Sequence, residues 1–65
     1  MDTVDQIIAG LSLLKVYGSL STWAEHDEFG CGGVPPDILT EAERNNLEEW
    51  GWRWNSHLYS WEIFT

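Results

Sequence analysis

Four of the chain's five tryptophans fall within residues 50–61. No other feature limits so strongly what these 65 residues can fold into. A chain of this size buries only about 60% of its unfolded surface and usually needs a staple. One cysteine, Cys31, cannot close an intramolecular disulfide, so the disulfide-rich scaffolds are excluded. Aromatic bulk is the remaining resource. Five Trp, two Tyr and two Phe are present, and each such ring buries roughly 150–250 Å². The apolar stretch Ile7 to Leu14 is too short to span a bilayer, and Asp2 and Asp5 stand where a leader peptide needs positive charge. The expectation is one small cytosolic domain, residues 1–65.

Local patterns predict an order of helix, strand, helix and hairpin. Residues 3–17 carry an apolar stripe of Val4, Ile7, Ile8, Leu11, Leu14 and Val16, which predicts an amphipathic helix. Thr3 and Gln6 have capping-box spacing, and Gly18 fits a C-cap. Gly10 inside this helix is either tolerated or marks a close approach by another element. Residues 20–29 alternate and read as a strand, and residues 30–36, with three glycines and two prolines, read as a loop. Thr40 and Glu43 form a second capping box, with Leu39 at the staple position. They open a helix over residues 41–50, with Ala42, Leu47 and Trp50 turned inward and Gly51 as its cap. Residues 52–64 predict a hairpin turning at Asn55 to Leu58. The fold class expected is α+β in the order α-β-α-β-β, a three-stranded antiparallel sheet with two helices on one face.

The segment Leu39-Thr40-Glu41-Ala42-Glu43-Arg44-Asn45-Asn46-Leu47-Glu48-Glu49-Trp50-Gly51-Trp52-Arg53-Trp54, closing with Trp61-Glu62-Ile63-Phe64, resembles small bacteriophage proteins. In those proteins an acidic capped helix ends in a Gly-Trp pair and a short aromatic hairpin follows. The run Ala24-Glu25-His26-Asp27-Glu28 is similar to the same proteins, so the likeness covers roughly residues 24–64. It implies a phage accessory protein acting in the cytoplasm of a bacterial host, a setting in which anti-CRISPR inhibitors also act.

The densest chemistry lies at Glu25-His26-Asp27-Glu28, with Cys31 three residues on and His57 in the hairpin. Carboxylate, imidazole and thiolate can all ligate metal, but no CxxC or HExxH spacing is present. Neighbours along a strand also point to opposite faces, so a solvated acidic strand is the simpler reading. The glycines at 30, 32 and 33 lack the lysine and following helix of a phosphate cradle. No nucleophile motif appears, and one thin core leaves little room for a water-excluding pocket. The expectation is no enzyme activity, no metal and no cofactor.

Charge supplies the functional expectation. Eleven acids against three Lys and Arg leave −8, which opposes direct contact with nucleic acid or anionic lipid. Residues 1–36 hold five acids and one lysine, and residues 37–50 hold five acids and one arginine. The hairpin is neutral, with Arg53 and Glu62. Carboxylates spaced along an element can pair with Lys and Arg that otherwise hold phosphates. The leading expectation is therefore an inhibitor that docks on a basic host or immune-system protein, such as a CRISPR effector, and occupies its nucleic-acid site. Its contact residues would be Glu41, Glu43, Glu48 and Glu49, with Glu25, Asp27 and Glu28. The alternative is a homodimer or larger homo-oligomer built through Trp52, Trp54 and Trp61, in which the acids only solubilise.

Overall fold

The computed structural model describes residues 1–65 as two helices and a four-stranded antiparallel sheet. Helix α1 (Thr3–Lys15) leads to strands β1 (Ser21–Glu25) and β2 (Glu28–Gly32), then a 3-10 turn at Pro36–Ile38. Helix α2 (Glu41–Glu49) and strands β3 (Trp52–Asn55) and β4 (Ser60–Phe64) follow. The strands lie in the order β1-β2-β4-β3, so the first hairpin pairs with the second through β2 and β4.

The α+β class is as expected, but the sheet has four strands rather than three. Residues 20–29 are not one strand. The chain reverses at His26 and Asp27, and Gly30, Cys31 and Gly32 continue β2 instead of opening a loop. Local glycine content misleads here because Gly30 is needed for space: a Cβ at that position would run into the Trp23 indole. The order along the chain is thus α-β-β-α-β-β.

Residues opposite one another in an antiparallel sheet share a face. Register places Phe29 opposite Ile63 and Cys31 opposite Trp61, while Trp52 and Trp54 face Ile63 and Trp61 from β3. These side chains form one face. On it, Leu14 of α1, Leu47 of α2, and Val34 and Leu39 between the strands complete the core with Cys31, Trp52, Trp61 and Ile63. Both helices therefore cover the same face, as expected. Trp52 and Trp61 are buried with their polar ends satisfied: the Trp52 Nε1–H donates to the Gln6 carbonyl at 2.9 Å, and the Trp61 Nε1–H to the Val34 carbonyl at 3.0 Å.

Several local expectations shift. Asp2, not Thr3, caps α1, its carboxylate accepting from the Asp5 N–H at 2.9 Å. The helix ends at Lys15 with Val16 as C-cap, two residues before Gly18. Val4, Ile8 and Val16 are exposed, because the side of α1 turned to the core is the one formed by Ile7, Gly10, Leu11, Leu13 and Leu14. Gly10 marks a close approach: a Cβ there would overlap the Trp52 indole. The α2 capping box is present as read, Thr40 Oγ1 accepting from the Glu43 N–H and Glu43 accepting from the Thr40 N–H. Ala42, however, faces solvent, and Trp50 is the half-buried C-cap. Gly51 then takes φ +90, a conformation glycine accepts without strain, and turns the chain into β3.

Candidate functional site

Carboxylates expected to make contacts fall into two groups. The first lies on α2. Glu41 and Glu48 are seven residues apart, hence on one side of the helix and separated by roughly 10 Å along its axis. Glu49 adjoins Glu48, and all three are exposed. Glu43 is different, because the fold uses it. Its carboxylate takes the Thr40 N–H at 2.8 Å and also accepts from the Tyr17 hydroxyl. These hydrogen bonds, Tyr17's first and the Thr40 backbone next, hold the Glu43 carboxyl below its ordinary range. The same contact raises the Tyr17 hydroxyl, since the bond favours the protonated phenol; desolvation and the neighbouring negative charge add to it. Glu43 thus clasps the end of α1 to the start of α2 and is a poor candidate for a free contact residue.

The second group lies at the turn of the β1–β2 hairpin. Register sets Glu25 directly opposite Glu28, with Asp27 in the turn between them. Like charges facing across a strand pair oppose that pairing. Their side chains share the sheet face with Trp23, the face away from the helices, because Ala24 and Phe29 take the core side. Trp23 lies over Gly30. With Ala24, Glu25, Glu28 and Leu58 it lines a shallow hollow of about 390 Å³. The sequence points to Glu25, Asp27 and Glu28 as candidates, whereas Trp23 and Leu58 join them only through the fold. A tryptophan facing a glycine across two strands is the signal, and it is visible only if Gly30 is read as part of a strand.

The two groups do not form one face, since α2 lies on the helical side of the sheet and Glu25 and Glu28 point to the other. They share an end. α2 runs into Trp52 through Gly51, and Trp52 pairs with Ile63 beside the Phe64–Glu28 pair. Glu48, Glu49, Glu25, Asp27 and Glu28 therefore gather toward that end of the sheet, while Glu41 and Glu43 lie back along α2.

Two of the three cations are engaged elsewhere. Arg44 donates to the Pro36 and Leu39 carbonyls at 3.0 and 2.8 Å, and Arg53 sits over the Phe64 ring, 5.8 Å from its centroid. Lys15 is at the far end of α1. Glu62, buried on the open face, accepts from the Asn55 side chain at 3.1 Å rather than from an arginine.

No three His, Cys, Asp or Glu side chains are placed to hold a metal ion. Cys31 is buried in the core, and desolvation pushes its thiol up to about 11, which keeps it protonated and unreactive near neutral pH. Trp52 and Trp61 are enclosed, so on the hairpin the exposed apolar surface belongs to Leu58, Tyr59 and Phe64. No helix is long and apolar enough to cross a membrane. Comparison with protein-family models, curated proteins and solved structures finds no significant match.

Proposed function

We propose that this chain is a non-catalytic binding protein whose carboxylates dock on the basic nucleic-acid site of another protein. The observation that carries the reading is the absence of internal use for most of its negative charge. Arg44 is held by backbone carbonyls and Arg53 lies on an aromatic ring, which leaves Glu41, Glu48, Glu49, Glu25 and Asp27 exposed without hydrogen-bonded cations. Charge of this kind steers association with a positive surface and pairs with arginine and lysine on arrival. The phage-like arrangement of α2 and its hairpin suggests the setting: the cytoplasm of a bacterial host, with a host or immune-system protein such as a CRISPR effector as target.

The test is competition. A CRISPR effector loaded with fluorescent DNA is titrated with the protein and with a Glu41→Lys, Glu48→Lys, Glu49→Lys variant that leaves the Glu43 clasp intact. The parent is expected to displace DNA, less effectively as salt shortens the Debye length from about 10 Å at 0.1 M. The variant is expected to fail while keeping its circular dichroism. Equal displacement by parent and variant at low salt refutes the reading.

A second reading rests on the exposed Leu58, Tyr59 and Phe64, which could join copies of the chain through the hairpin. Sedimentation equilibrium decides it: a monomer at every concentration removes this alternative.

A further inference from the structure

We infer that the free edge of β1 captures an extended basic segment of the partner as a fifth strand, with Glu25 and Glu28 receiving its arginine or lysine side chains. The inference rests on the docking function proposed above and adds its mode and the chemistry of the partner. Three observations carry it.

The first is that β1 is a bare edge. It ends the strand order, so one row of its backbone N–H and C=O groups has no partner in the sheet. Proteins usually blunt such edges with lysine, proline, a bulge or a covering helix. β1 has no lysine, proline, bulge or covering helix: it reads Ser-Thr-Trp-Ala-Glu, its one charge is Glu25 at the end of the strand, and it pairs with β2 through five consecutive positions. The opposite edge, β3, is one residue shorter and carries Arg53.

The second is that neither face of β1 is covered. Ser21, Thr22, Ala24 and Glu25 are exposed and only Trp23 is half-buried. Thr22 and Ala24 lie on the core side of the sheet, yet the helices stop short of them. An added strand would extend that side with alternate apolar residues and place its other residues in line with Trp23 and Glu25.

The third is charge. On the open face Glu28 and Glu25 stand in one row, and the next place in that row belongs to the missing strand. A cation there would lie directly beside Glu25, with Glu28 one strand further along the same row, and so would place attraction next to the repelling pair. Two residues along the same strand, the next side chain would lie beside the Trp23 indole, where a guanidinium stacks well. An acidic or neutral strand would meet no such match. A second copy of β1 would bring only Ser, Trp and Glu to this face. The occupant that fits is therefore a strand alternating basic and apolar residues.

The probe is a blocked nine-residue peptide alternating arginine with valine, titrated by isothermal calorimetry at low salt. Two twins carry backbone N-methyl groups, one on every arginine and the other on every valine. Strand addition exposes only one set of amides to β1, so one twin is expected to lose binding and the other to keep it. Amide exchange across residues 21–25 is expected to slow in the complex. Glu25→Lys should fold, since it relieves the Glu25–Glu28 pair, and should weaken binding roughly tenfold. No binding by the parent peptide, equal binding by both twins, or unchanged affinity of Glu25→Lys overturns the inference. A dimer lost on adding the peptide would assign the edge to a second copy and also overturn it. If the twins bind equally while the α2 lysine variant still fails to displace DNA, strand capture is wrong and the docking function stands. If strand capture holds but DNA is not displaced, the docking function falls alone.

Discussion

Replacing Gly10 with alanine is expected to destabilise the protein, although the same change in an isolated helix would stabilise it. Glycine inside a helix costs about 1 kcal/mol relative to alanine. Here the Cβ would overlap the Nε1, Cε2 and Cζ2 atoms of Trp52, which is 1% exposed and has nowhere to move. Forcing extra volume into a packed core costs about 1–3 kcal/mol. Moving the indole also loses its bond to the Gln6 carbonyl, a further loss of roughly 0.5–1.5 kcal/mol. Propensity recovers only about 1 kcal/mol of this, so the expected net change is a destabilisation of about 0.5–3.5 kcal/mol. In a domain this small each kcal/mol lowers Tm by roughly 4–8 °C. Urea unfolding followed by circular dichroism gives the free energy directly. The double variant Gly10→Ala, Trp52→Phe supplies the control: with the smaller ring the alanine should be neutral or favourable, and the cycle should show a coupling of about 1–3 kcal/mol. A Gly10→Ala protein as stable as the parent would refute the close approach.

Gly30→Ala meets another indole, but Trp23 is half-buried on an edge strand and can swing aside, so its cost should be visibly smaller than that of Gly10→Ala in the same urea assay. Thr40→Ala removes the side-chain half of the α2 capping box and should cost about 1 kcal/mol by chemical denaturation. His26 holds φ +33 at the first turn residue of the β1–β2 hairpin; His26→Gly should raise stability by roughly 0.5–1 kcal/mol, and no rise in Tm would contradict the turn geometry. Burial raises Cys31 from 9.0 to about 11, so its stabilising effect is complete below pH 9 and is lost as pH rises through that interval. Cys31→Ala should flatten this alkaline limb of the stability curve. At the acid end Glu43 acts oppositely. Its lowered carboxyl stabilises above the ordinary carboxylate range, and that contribution is lost as pH falls through its own value.

The elements read correctly are those whose signals are local. Thr40 and Glu43 are three residues apart and satisfy each other's backbone groups, so the start of α2 is written in four consecutive positions. The alternating Trp52, Trp54, Trp61 and Ile63 specify the second hairpin in the same way, while Gly51 stands one residue beyond the C-cap, Trp50. Asp2 and Thr3 are both good caps, and choosing between them needed the helix geometry. The acidic residues of the candidate surface were legible one by one. The bond that ties Glu43 into the fold is not legible locally, because its partner, Tyr17, is 26 residues away.

Chain chemistry alone thus decides the α+β class, the capped acidic helix, the aromatic hairpin and the negative charge, because each depends on residues a few positions apart. Tertiary structure decides the first hairpin, the fourth strand and the bare edge. Gly30 and Gly32 look like loop residues until Trp23 and the Tyr59 carbonyl are brought against them, and Gly10 looks like a flaw until Trp52 fills its place. Close packing between distant segments assigned those glycines, and local propensity carries no trace of it. The tryptophans divide in the same way. Their number required a dense core, but only the register of four strands determined that Trp52 and Trp61 would be enclosed while Trp23 stayed at the open edge.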